Sequence, residues 1–504
     1  MGKFAKMKNL LLYALTATLA LPALAQDEPL YPNEVETRLG TLTFDHGIPT
    51  EETSELLYDN LDFNRAVQSY LWSLPIVGHT QWRQTYLDEY DIKPNELIFA
   101  KQFNERSLIL TANESTPYLF GWLNVKDKAA VIEVPPGPLI GLMTDFWQRG
   151  VADLGVFGPN AGRGGTWVIH GPETPVAEIP VIEGAEYVKS NTNNLWWLMR
   201  VNAPLEERDA LAAGILSGFH GEELRSQLRD GENKVGRNFQ PRGMRYWEML
   251  HMILQEEPVE DRDQFFMYFL KELGIEKGKP FEPTDRQRAI FEEAAVVGEA
   301  TAKNFVFRER LPGVLRDDGW RLILGRVEGS EPGDAMDHTQ TIGEIGRFDP
   351  RARYTYEATT TSPKIVYPKV GYGMGYAGMF LDAQERALAG DRSYVINVPK
   401  DPPVEIFWAI TVYDVDTRGM VRTDQERAER GSRHEGIRTL EDGSTPILVG
   451  PEAPPEGWEN NWIKSIPGRA WFPYFRFYGP SKPYFDQSWK LPQIEEIDYA
   501  DLPE

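Results

Sequence analysis

The sequence predicts an α+β chain that is mostly β, with two antiparallel β-sandwiches or jelly rolls joined by a helical segment. Three observations carry this expectation. Residues 97–201 hold one short apolar run after another, bounded by Asn, Lys, Pro and Gly, with no helical stripe between them. Residues 203–310 change to helical spacing. Short runs return from Tyr354 to Tyr478, and the stretch from Val404 to Trp489 is the richest in aromatics.

Composition sets the outer limits. A length of 504 residues allows about three domains. Hydrophobic residues at 41% and aromatics at 12% suffice for packed cores and exclude general disorder. The formal charge of -23 argues against nucleic acid as a partner, because phosphates would be repelled, and against adhesion to anionic lipid. With no cysteine there is no disulfide and no thiolate chemistry.

Residues 1–25 read as an export signal: Lys3, Lys6 and Lys8 precede the apolar run Leu10 to Leu21, and Ala23-Leu24-Ala25 offers a cleavage site before Gln26. The expected location is periplasmic or secreted. Residues 26–96 are an N-terminal arm and a helix from Glu51 to Leu74, which Pro75 is expected to end. Residues 97–202 make the first β domain, with strands at 97–99, 108–110, 118–123, 130–134, 139–146, 166–170 and 195–200. Residues 203–345 are the helical connection. Within it, 258–273 carries Phe265, Phe266, Phe269 and Leu270 on one face and stops at Gly274. Thr284 with Gln287 forms a capping box for a helix to Phe307, whose buried stripe is Ile290, Phe291, Ala294, Ala295, Ala302 and Phe305. Residues 346–490 form the second β domain, interrupted by a polar excursion from Arg422 to Ser444, and 491–504 an acidic tail.

Several local patterns identify a family resemblance. In the first domain these are Thr116-Pro117-Tyr118, Asp145, Gly158-Pro159, Gly164-Gly165 and the strand ending at His170. The helical segment adds Gly278-Lys279-Pro280-Phe281, Arg286-Gln287 and Gly298-Glu299-Ala300. The second domain adds Phe407-Trp408, Thr411-Val412-Tyr413-Asp414, Thr417-Arg418, Asn461-Trp462-Ile463, Pro467-Gly468 and Phe485-Asp486-Gln487-Ser488-Trp489. Together they resemble exported bacterial proteins built from domain of unknown function 1254 followed by domain of unknown function 1214. The resemblance implies two jelly-roll-like domains bridged by helices and brings no catalytic residues with it. Ser115 stands where the family usually has Asp, and Gly373-Met374-Gly375-Tyr376 replaces an expected Gly-Ser-Gln-Tyr.

Other motifs are weaker than their letters suggest. Gly373-x-Gly375-x-x-Gly378 spells a dinucleotide fingerprint, but a strand follows it where a helix N-terminus is required. Gly158 to Thr166, with Arg163, lacks the Lys-Ser/Thr ending of a phosphate loop. Asp414-x-Asp416 begins like a calcium loop, yet Arg418 occupies a ligand position and is expected to pair with Asp414 or Asp416 and fix the turn. Asp334, Asp337 and His338 form the other close carboxylate–histidine cluster. Ser217 misses the nucleophile-elbow pattern by one position. Trp196, Trp197, Trp408, Trp462 and Trp489 are either core residues or platforms for sugar rings.

The functional expectation is binding of a small molecule or carbohydrate in a pocket between the β domains and the helical segment. The alternative is a metal-independent hydrolase or lyase. Candidate catalytic residues are Tyr118, Asp145 and His170, expected to converge at one rim; candidate ligand contacts are Arg163, Tyr413, Asp414, Arg418 and Trp462. No cofactor, metal or nucleic acid is assigned, nor membrane insertion after signal removal, and a homo-oligomer is compatible with the sequence.

Overall fold

The computed structural model describes residues 31–93, 95–101, 109–114, 116–231, 237–308, 316–323, 348–358, 370–371 and 373–503. The export signal, Ser115 and the Asp334, Asp337, His338 cluster lie outside the described residues.

Residues up to Leu61 form one compact unit and those from Asp62 a second. In the first, β1 (Glu34–Thr37), β2 (Gly40–Asp45) and β3 (Ile48–Pro49) make an antiparallel ribbon in that order. Helix α1 (Glu51–Tyr90) begins after Thr50, whose hydroxyl accepts from the Thr53 N–H at 3.3 Å as an N-cap.

In the second unit α1 runs straight through Pro75, where the sequence reading ended it. An internal proline costs about 3 kcal/mol or more through its missing N–H and ring clash. Beyond it, however, Ile76, Val77, Trp82 and Tyr86 are all buried. Each contributes about 1.5–3 kcal/mol, so burial outweighs the penalty.

The first β domain contains β4 (Leu97–Ala100), β5 (Tyr118–Asn124), β6 (Ala130–Val134), β7 (Leu139–Asp145), β8 (Gly150–Gly155), β9 (Gly165–His170), β10 (Glu186–Lys189), β11 (Asn194–Val201), β12 (Leu216–Phe219) and β13 (Leu228–Asp230). They form a six-stranded sheet, β13-β4-β5-β11-β7-β8, and a four-stranded sheet, β10-β9-β6-β12. Leu119, Met143, Trp197 and Met199 from one sheet share a core with Ile132, Trp167 and Ile169 from the other. The opposite face of the larger sheet is equally dry. Phe120, Trp122 and Trp196 meet Trp82 and Tyr86 of α1, with Trp82 and Trp196 rings 4.6 Å apart. Central strands therefore read as continuous apolar runs. Two pairings, β10 with β9 and β13 with β4, are parallel, so the sheets are mixed. Strands β12 and β13 come from the segment expected to be helical, and Ile109 and Leu110 lie in a loop where a strand was expected.

The helical layer comprises α2 (Leu205–Ala213), α3 (Met244–Glu256), α4 (Gln264–Glu272), α5 (Asp285–Phe307) and α6 (Phe348–Glu357). Gly274, at φ +83°, closes α4: its N–H bonds the Lys271 carbonyl and the Ile275 N–H bonds that of Leu270. The Thr284/Gln287 capping box opens α5 as its letters predict. Helix α6 overturns the expectation that strands resume near Tyr354. Every residue from Pro350 to Glu357 is buried, so the segment has no polar face and no readable helical stripe.

The second β domain contains β14 (Arg321–Leu322), β15 (Met374–Gly378), β16 (Tyr394–Val398), β17 (Val404–Asp414), β18 (Glu429–Gly431), β19 (Thr445–Gly450), β20 (Trp462–Lys464), β21 (Trp471–Pro480) and β22 (Glu495–Glu496). Sheet orders are β14-β15-β21-β17-β18 and β20-β19-β16-β22. The acidic tail is part of the fold: β22 pairs with β16, and Leu491 and Ile494 are buried. Two of the dinucleotide-like glycines, Gly375 and Gly378, lie on β15 and Gly373 just before it; Tyr484 fills the space a Cβ at Gly375 would need.

Candidate functional site

The three residues expected to converge do not. Tyr118 pairs with Arg200 of β11, whereas Asp145 pairs with Leu195, five residues away along the same strand. That separation is about 17 Å. His170 stands on the other sheet, half-buried, opposite Lys189. Asp145 is fully buried and held by Arg149 at 2.6 Å, and Arg149 also takes both oxygens of Glu260 at 2.6 and 2.9 Å. This is a closed structural ion cluster. Arg163 is exposed on its loop.

Nor does Arg418 fix its own turn by a carboxylate. Arg469 holds Asp414 at 2.7 Å, and the Asp416 and Thr417 N–H groups donate to the same carboxylate at 3.0 and 2.8 Å. These bonds occupy the oxygens that a calcium loop would use. Burial tends to raise the Asp416 carboxyl, but the Arg242 guanidinium overrides it and holds it below its usual range. Arg418 instead turns inward with φ +57°, lies 3.8 Å over the Tyr356 ring and donates to Gln240 at 3.1 Å. Arg469 was missed because it follows the Asp414 turn by 55 residues. Trp462 is half-buried, its indole N–H donating to the Gly450 carbonyl at 2.9 Å.

What the fold does assemble is a cavity between the two β domains. The face of β5 and β11 that carries Phe120, Trp196 and Leu198 looks toward β15 and β21. Each sheet contributes an arginine beside a cross-strand tyrosine. Arg200 pairs with Tyr118 and lies 5.2 Å over its ring; Arg476 pairs with Tyr376 and lies 5.3 Å over it. An inner cavity of about 40 Å³ opens between these pairs, large enough for water or a small polar head. An outer groove of about 270 Å³, walled by Ile140, Phe157, Met374, Phe407 and Tyr478, adjoins it at Arg200. Arg433 lies at the groove, 4.0 Å over the Phe407 ring.

The two buried arginines are occupied differently. Arg476 donates to the Thr111 and Ala112 carbonyls at 2.6 and 3.0 Å, to Thr411, and to the Tyr413 hydroxyl. Tyr413 in turn donates to the Ala112 carbonyl at 2.6 Å. Arg476 and Tyr413 thus clasp a loop of the first domain onto the second. Among the described residues, the hydrogen-bonded partner of the Arg200 guanidinium is the Met374 sulfur at 2.8 Å. A second buried pair borders the cavity, in which Tyr474 donates to Glu357. Burial, reinforced by that carboxylate, pushes the Tyr474 phenol well above its ordinary range.

Of the sequence candidates, Tyr118 lines the inner cavity and Tyr413 lies behind it, whereas Asp145, His170, Arg163, Asp414, Arg418 and Trp462 line neither opening. Arg200 and Arg476 were missed, although a signal existed. Each is the lone charge in a run of large apolar residues, Leu195 to Val201 and Trp471 to Tyr478. A charge placed inside a strand buried on both faces needs a specific reason.

Comparison with known proteins bears on the fold. Residues 94–218 match the family Protein of unknown function (DUF1254), and residues 374–482 match Protein of unknown function (DUF1214). No curated protein matches the chain. Among solved structures, the VPA0106 protein of Vibrio parahaemolyticus aligns with a TM-score of 0.53 at 17% identity, over 87% of this chain and 100% of its own. The two share a fold. An uncharacterized protein from Burkholderia cenocepacia aligns with a TM-score of 0.39 at 11% identity, over 88% of this chain and 97% of its own.

Proposed function

From a chain that combines the DUF1254 and DUF1214 domains in that order, we propose an exported protein that binds a small molecule in the cavity between its two β domains. One observation carries the reading. The inner cavity and outer groove meet at a buried arginine, and aromatic rings from both domains wall them. Concave, mostly apolar sites with a few placed polar groups are where small ligands bind, often at domain interfaces. Among the described residues the groove has few hydroxyls or amides to satisfy a sugar, so a small organic molecule suits it better than a carbohydrate. Export rests on the N-terminal lysines, apolar run and Ala-x-Ala sequence.

The test is ligand-observed NMR with a fragment library on the wild-type chain and on Ile140→Trp, whose indole would fill the groove. Binders lost in the variant support the reading; binders unaffected by it refute it. N-terminal sequencing of material recovered outside the cytoplasm should start at or near Gln26.

A second reading, a hydrolase or lyase, is favoured by the Tyr474–Glu357 pair. Tyr474 lines the inner cavity with its hydroxyl hydrogen-bonded to the Glu357 carboxylate, a phenol–carboxylate pair through which a proton could be relayed. Tyr474→Phe would then abolish turnover of a bound compound while leaving its affinity nearly unchanged.

A further inference from the structure

We propose that the ligand is an organic carboxylate whose head is held by Arg200 and whose apolar or aromatic body lies in the outer groove. This deepens the binding reading above and rests on it.

Arg200 is 6% exposed, at the point where both openings meet. Removing a guanidinium from water costs several kcal/mol unless an anion or a full set of acceptors compensates. A thioether is a weak acceptor and does neither. The chain has 76 acidic against 53 basic residues, yet among the described residues no Asp or Glu lines either opening while three arginines do. An anion from outside the chain supplies the missing partner.

The class of anion follows from the surroundings. Arg476 is held by the loop carbonyls and hydroxyls already described, so Arg200 is the buried cation left for a ligand. A guanidinium presents parallel N–H groups that fit the two oxygens of a carboxylate. A polyphosphate would need more cations than Arg200 and the rim residue Arg433. Among the described residues, the groove's polar side chains beyond those arginines and Tyr478 are Thr116 and Asn202, and the others that wall it are apolar. That lining suits a hydrocarbon or ring.

The experiment titrates the full chain calorimetrically with hexanoate, benzoate and phenylacetate, each against its primary amide at fixed ionic strength. At least one acid should bind at least about tenfold more tightly than its amide, as a charge-assisted pair implies. Arg200→Gln should abolish that preference, and Arg200→Lys should retain part of it. If Arg200→Gln fails to fold, the Lys variant and Ile140→Trp still decide, because the latter must lose acid and amide together. Equal binding of acid and amide, blocked by Ile140→Trp, overturns the carboxylate assignment and leaves the cavity reading standing. A preference that survives both Arg200 substitutions overturns the role of Arg200. Absence of binding by every acid and amide overturns the inference, and the fragment screen then judges the cavity separately.

Discussion

His79 offers a quantitative test of how the cavity wall is held. It lies on α1 fully enclosed, near the rings of Phe146, Trp82 and Trp196, with Thr144 Oγ1 3.4 Å from Nε2. Burial lowers its pKa from 6.5 to about 4, a backbone hydrogen bond to Pro75 only partly offsetting the loss of water. The folded value lies below the unfolded one, so unfolding takes up a proton. The contribution is therefore fully present above about pH 6.5 and is lost as pH falls toward 4. The shift corresponds to about 3 kcal/mol in full, of which about 2 kcal/mol is gone by pH 5. His79→Gln keeps the site neutral and removes the titration. Urea denaturation of both proteins at pH 7.5 and pH 5 should show the wild-type advantage shrinking by about 2 kcal/mol. Working above pH 5 leaves most carboxylates ionised, and differencing against the variant cancels the rest. Parallel pH dependences would refute the claim that this imidazole is buried neutral.

Three further outcomes follow from particular contacts. Arg149→Met leaves the fully buried Asp145 carboxylate without its cation and should cost about 3–5 kcal/mol by chemical denaturation; a loss under about 1 kcal/mol would show that the cluster is solvated. Thr284→Ala removes the capping box of α5 and should cost about 1 kcal/mol, whereas Thr284→Ser should be nearly neutral. Gly375→Ala drives a methyl into the Tyr484 ring and should destabilise by about 1–3 kcal/mol, and wild-type stability there would show that the ring gives way to the methyl without cost.

Much of the fold was legible in the sequence because it depends on local chemistry. The α4 stop at Gly274, the α5 start at Thr284 and most strands of the two β domains were readable from backbone preference and apolar runs over a few residues. Where burial extends around an element, that signal disappears. Helix α6 has no exposed face to mark a helical period, and α1 crosses Pro75 because side chains beyond it are covered by distant strands. The candidate site was less legible for the same reason. Tyr118 and Asp145 look alike as polar residues at strand termini, but pairing with β11 sets them at opposite ends of the sheet. Arg200 and Arg476 are 276 positions apart and meet only when two sheets face each other. Sequence alone marks each as a charge in an apolar strand. Only tertiary packing decides that Arg476 satisfies itself on a neighbouring loop while Arg200 faces an opening, because hydrogen-bond partners so remote leave no trace in local spacing.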